Sequence, residues 1–155
     1  AFPEYRDSTD YVLYFANIIY KPSYISLQTA LSFHGIIPEA VPIVTSVTTL
    51  KTKIFSNDFG EYSYKNIKPD LMFGYDLREM EGGRRIMFAT PEKALTDLLY
   101  LYPFYNTERE LGELRLDESF MEHHFNAERL MEFSYRIGSK ALINRIDILR
   151  KVYNL

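Results

Sequence analysis

Apolar residues along the chain change their spacing twice, dividing it into helical, strand-rich and again helical parts. Residues 11–20 are apolar nearly all round, which predicts a helix buried on more than one side. Ser8 or Asp10 would cap it and Pro22 would stop it. After Ser26 as N-cap, Leu27, Ala30, Leu31 and His34 share a face of a second helix. Gly35 follows as a left-handed C-terminal cap, with Ile36 making the closing apolar contact. Beyond Pro38 and Pro42 the period becomes two. Residues 43–49, 53–56, 61–68, 71–75 and 86–89 read as strands, with turns at 57–60 and at Gly82-Gly83. Residues 23–26 read only as the lead into the second helix.

The second change comes at residue 90. Thr90 is an N-cap, Pro91 fills the first helical position and Glu92 sits at the positive end of the helix dipole. Ala94, Leu95, Leu98, Leu99, Leu101 and Tyr102 form one arc. Glu92, Lys93, Thr96 and Asp97 form the other, predicting a solvent-facing Lys93–Asp97 pair at i,i+4. Such a pair is worth below about 1 kcal/mol. Pro103 ends this helix. Thr107, Asp117, Asn126 and Ser139 then stand where N-caps belong, and Gly138 where a C-cap belongs.

The expected fold is α+β: two N-terminal helices, a mainly antiparallel twisted sheet of about five strands, and a helical C-terminal half. Residues 1–10 read as a linker remnant, 11–103 as the core and 104–155 as a helical extension of the same domain.

Composition narrows the chemistry. The chain has no cysteine, which removes thiol nucleophiles and zinc-thiolate sites and fits a reducing cytoplasm. No apolar run approaches the roughly 18–20 residues of a membrane span. A net charge of −3 argues against coating by nucleic acid through bulk electrostatics. Thirteen tyrosines and eleven phenylalanines suit half-buried faces and contact surfaces.

Catalytic motifs are missing: there is no glycine-rich phosphate loop, no Gly-x-Ser-x-Gly, and no acidic residue followed two positions later by lysine. Adjacent His123 and His124 point about 100° apart on a helix, so they do not share a face as metal ligands do. No cofactor and no metal is expected. Two basic groups remain. Lys51, Lys53, Lys65 and Lys68 interleave with Tyr62 and Tyr64, the residue types of a single-strand nucleic-acid surface, although solvated edge lysines explain the same letters. Arg136, Lys140, Arg145, Arg150 and Lys151 give residues 136–151 a net charge of +4, a solvated face or one for phosphate or protein.

Two blocks then carry a family resemblance: Tyr24-Ile25-Ser26-x-x-x-Ala30-Leu31-x-x-His34-Gly35-Ile36 and Ala89-x-Pro91-Glu92-Lys93-Ala94-Leu95-x-Asp97-Leu98-Leu99. With Ser46-Val47-Thr48-Thr49 and Phe59-Gly60-x-Tyr62-x-Tyr64-x-x-Ile67-Lys68-Pro69 between them, the chain resembles the AbiEi family of type IV antitoxins and related transcriptional regulators. The resemblance implies a non-enzymatic effector module of a bacterial toxin–antitoxin or phage-defence regulator. Members of that family use an N-terminal winged helix to bind operator DNA, and a nucleotidyltransferase-like toxin is the genetic partner. No winged helix is present here, and Tyr5 and Arg6 look like the linker that follows one. In a type IV system the antitoxin need not bind the toxin tightly. The motif residues Tyr24, Ser26, His34, Gly35, Pro91, Glu92, Lys93 and Asp97 read as structural. Two other readings stand beside this one: a nucleic-acid-processing enzyme using the basic, tyrosine-bearing strands, and a sensor or dimerisation domain of an orphan regulator. A homodimer is among the expected partners; a membrane is not.

Overall fold

In the computed structural model the described residues are 3–80 and 82–155. Seven α-helices and six strands are found among them: α1 (Pro3–Ile19), β1 (Ser23–Ile25), α2 (Leu27–Phe33), β2 (Ile43–Thr48), β3 (Lys53–Asn57), β4 (Gly60–Asn66), β5 (Tyr75–Glu79), β6 (Arg85–Ala89), α3 (Pro91–Leu101), α4 (Glu108–Gly112), α5 (Glu118–His123), α6 (Ala127–Ile137) and α7 (Lys140–Tyr153). The α+β class agrees with the sequence reading, while the order of elements agrees only roughly, because β1 falls between the two N-terminal helices. No described helix is long and apolar enough to cross a membrane.

Four expectations need correction. First, α1 starts at Pro3, so Ser8 and Asp10 lie inside it and do not cap it; of the stretch read as a linker, Ala1 and Phe2 lie outside the described residues. Second, the sheet has six strands, not about five, in the order β3-β4-β2-β1-β6-β5. It is mixed: β1–β2, β3–β4 and β5–β6 are antiparallel, while β2–β4 and β1–β6 are parallel. Third, the added strand is β1, whose three residues are all buried at the sheet centre. So short a buried run has no periodicity to detect. Fourth, residues 71–75 are not a strand. A 3-10 turn covers Pro69–Leu71, Gly74 takes φ +76°, and extended structure begins at Tyr75. A left-handed residue breaks the pleat there.

Helix α1 covers one face of the sheet. Fully buried Tyr62 and Tyr64 point to that side, and the Tyr64 hydroxyl donates to Ala16 O at 2.5 Å. Asn17 clamps the β6 backbone, donating to Met87 O at 3.3 Å and accepting from Met87 N at 2.5 Å. Helix α3 covers the other face and is itself covered by α6 and α7. The four C-terminal caps form as the sequence predicts. Thr107, Asp117, Asn126 and Ser139 each accept from the backbone N–H three residues on, and Gly138 closes α6 at φ +75°.

Helix α2 is the exception. Ser26 occupies its N-cap position without a side-chain cap bond. Thr45 of β2 supplies that bond instead: its hydroxyl accepts from Thr29 N at 3.0 Å and donates to Ser26 O at 2.7 Å. The Thr29 hydroxyl returns the contact by accepting from Thr45 N at 2.8 Å. A strand residue therefore caps a helix, and the Ser26 hydroxyl is released for another use. Thr45→Val keeps the shape but removes the cap, and is expected to cost about 0.5–2 kcal/mol. Urea unfolding would show this as a lower midpoint at unchanged slope, with Thr45→Ser close to the parent protein.

Candidate functional site

The released Ser26 hydroxyl donates to Asp97 Oδ2 at 2.8 Å, and the Tyr24 hydroxyl donates to the same oxygen at 2.7 Å. Lys93 Nζ donates to Asp97 Oδ1 at 2.8 Å, to Tyr24 Oη at 2.8 Å and to Leu71 O at 2.7 Å. Three ammonium protons thus meet three acceptors, and the carboxylate accepts three bonds, so each charged group is satisfied. Tyr24, Ser26, Lys93 and Asp97 are all 0% exposed. The Lys93 ammonium also lies 4.4 Å from the Phe73 ring centroid, whose face Arg136 approaches at 3.8 Å.

This arrangement overturns the expected outward-facing pair. Helix α3 is enclosed by the sheet and by α6 and α7, so every residue from Glu92 to Leu99 is buried. Its polar arc is matched to partners, not to water. The Thr96 hydroxyl donates to Glu92 O at 2.7 Å. The Glu92 side chain accepts from Asn126 N at 3.1 Å, and Arg129 approaches its other oxygen at 3.5 Å. Burial drives the Asp97 carboxyl up and the Lys93 ammonium down, each opposed by the attraction and hydrogen bonding between them. Burial, reinforced by the adjacent Asp97 charge, drives the Tyr24 phenol far up, so it remains a hydrogen-bond donor.

Gly74 makes room for the lysine stem. A Cβ there would lie 2.7 Å from Lys93 Cγ, and φ is +76°. Its carbonyl accepts from both Thr90 N at 3.0 Å and the Thr90 hydroxyl at 3.1 Å, while that hydroxyl caps α3 by accepting from Lys93 N at 3.2 Å. On the other strand end, His34 Nε2 meets Ala89 O at 3.0 Å, and its ring packs edge-on against Phe88. Gly35 has φ +79° and Pro91 stands at the start of α3, both as the sequence predicts.

The two motif blocks are therefore one assembly in space. Tyr24 and Ser26 reach Lys93 and Asp97, His34 reaches the strand end before Pro91, and Glu92 reaches α6. Sequence reading missed Thr45, Leu71, Phe73 and Gly74, because each joins the assembly from a segment with no motif of its own. None of four surface cavities is lined by Tyr24, Ser26, Lys93 or Asp97. Among the described residues, no three of His, Asp and Glu gather as metal ligands.

The basic candidates do not form one surface. Tyr62 and Tyr64 are buried under α1 and offer no ring for stacking. Lys53 stands on the α1 side over Phe55, at 4.8 Å, whereas Lys65 approaches Tyr102 on the opposite face at 5.9 Å. Lys51 and Lys68 are exposed. In the C-terminal group, Arg136 lies over Phe73, Arg145 donates to Leu99 O at 3.1 Å near the end of α3, and Arg150 contacts Met131 Sδ at 3.7 Å. Lys151 pairs with Glu108 at 3.7 Å, and Lys140 is exposed in the first turn of α7.

Neither a protein-family model, nor a curated protein, nor a solved structure matches the chain.

Two outcomes are expected. Lys93→Met leaves a buried carboxylate without its cation and should cost about 3–5 kcal/mol. Lys93→Met/Asp97→Leu should cost at least about 1 kcal/mol less than the sum of the single changes, measured by urea unfolding. For His34, burial lowers the folded-state pKa below 6.5, outweighing the bond to Ala89. The unfolded chain then takes up more protons as pH falls through 6.5, so stability drops on acidification through that value. His34→Gln should flatten this part of the pH profile of the unfolding midpoint.

Proposed function

We propose that the chain is the non-enzymatic effector module of an AbiEi-like bacterial antitoxin or transcriptional regulator. The observation that carries this reading is the inward direction of the motif. The polar residues that give the resemblance are bonded to one another inside the protein. They define how a module packs and leave its outer surface to partners. A reaction centre would need at least one of these groups to meet a substrate, and the side chains of Tyr24, Ser26, Lys93 and Asp97 make their hydrogen bonds only with each other and the Leu71 carbonyl. Operator DNA would be engaged by the winged helix that such regulators carry, and the toxin of nucleotidyltransferase type is the genetic partner. The nucleic-acid-processing alternative loses its main support, because the lysines and tyrosines on which it rests occupy different environments.

The test is co-expression of the full-length protein with its neighbouring toxin gene. Growth should be rescued by the parent protein, and rescue should fall in proportion to soluble protein for Lys93→Met. Surface changes such as Lys68→Ala should leave the fold intact. Absence of rescue at high soluble levels of the parent protein would refute the antitoxin reading.

A further inference from the structure

We propose that β5 is a pairing edge for a second copy of this chain, the two strands running antiparallel about a two-fold axis at Leu77. Strand β5 pairs with β6 along one side only and ends the sheet. The phase of its hydrogen bonds follows from the two ends of the ladder. Thr90 N donates to Gly74 O at 3.0 Å, and Met80 N donates to Arg84 O at 2.6 Å. Antiparallel bonding alternates, so Asp76 and Arg78 direct their backbone groups to β6. Tyr75, Leu77 and Glu79 direct theirs to the open edge.

The side chains match themselves across that axis. Leu77 would form a hydrogen-bonded pair with the second copy's Leu77, and Tyr75 with the second copy's Glu79. Asp76 would face the second copy's Arg78 at a non-hydrogen-bonded position, where cross-strand side chains lie closest. By symmetry the pair forms twice. Neither Asp76 nor Arg78 has an ion-pair partner among the described residues. The Arg78 guanidinium is already held over the Phe33 ring at 4.7 Å, which limits the freedom it would lose. Leu77 is 62% exposed and would be covered. The other edge, β3, lacks this property. Self-pairing about Phe55 would set Ile54 against Ser56 and Lys53 against Asn57, with no opposite charges.

The pairing predicts a pattern that few other associations share. In sedimentation equilibrium the parent chain should reversibly form dimers as concentration rises. Asp76→Arg alone sets arginine against arginine, and Arg78→Asp alone sets aspartate against aspartate. Each should weaken dimerisation at least about tenfold, given two repulsive cross-strand pairs. An equimolar mixture of the two variants places opposite charges at both positions and should restore the dimer. Leu77→Pro removes an outward N–H that β6 does not use, so it should abolish the dimer with unchanged circular dichroism. A parent chain that stays monomeric, a dimer that survives Leu77→Pro, or a mixture that does not recover would each overturn the proposal.

Discussion

A lysine ammonium removed from water has to find three acceptors, and Lys93 finds them on three different parts of the chain. Asp97 lies one helical turn away, Tyr24 belongs to the central strand, and the Leu71 carbonyl ends the turn between β4 and β5. Most of the organisation around α3 follows from this requirement. Desolvation would make either charge costly alone, and packing the pair in apolar surroundings raises the cost of every imperfect contact. The site is therefore intolerant in a way a purely aliphatic core is not. A leucine slides between neighbours, whereas Lys93 and Asp97 accept one arrangement of helix, strand and loop.

The requirement reaches outward through shared hydroxyls. Ser26 can serve Asp97 only because Thr45 has taken over the capping of α2. Thr90 caps α3 and at the same time holds the Gly74 carbonyl, whose residue must remain without a side chain beside the Lys93 stem. Leu27, the first residue of α2, has φ +60°, a left-handed value unfavourable for a leucine. The backbone between Ser26 and α2 thus bears strain of order 1 kcal/mol or more next to the buried network, where neighbouring bonds hold it.

Much of this protein could be read from residue pattern alone, but unevenly. Capping residues act within one turn, so Thr90, Thr107, Asp117, Asn126 and Ser139 were legible, as was Gly138. Strands β2, β3 and β4 were legible from alternation and β-branched content. The central strand β1 was not, because three residues buried on both faces carry no period. Lys93 and Asp97 illustrate the deeper limit. A helical wheel divides residues by polarity and assigns the polar arc to water, an inference valid only when one side of the helix is free. Here the second side is covered by α6 and α7, which lie later in the chain. The partners that make the polar arc tolerable, Tyr24 and Ser26 among them, come from much earlier. The two motif blocks singled out the residues of the site, while only the fold could say which way they faced.

Strand β1 also gives the sheet a seam. On one side of it lie β2, β4 and β3, on the other β6 and β5, each group joined by short connections. Between β1 and β6 the ladder registers a single residue pair, Ile25 with Phe88, from distant parts of the sequence. Backbone pairing therefore contributes little to joining the two halves. Side chains bridge the gap instead: Asn17 grips β6 from one face, and Lys93 and Asp97 reach back to β1 from the other. In mechanical terms the sheet is two stiff plates with a narrow weld, and the buried ion pair is the rivet set beside it.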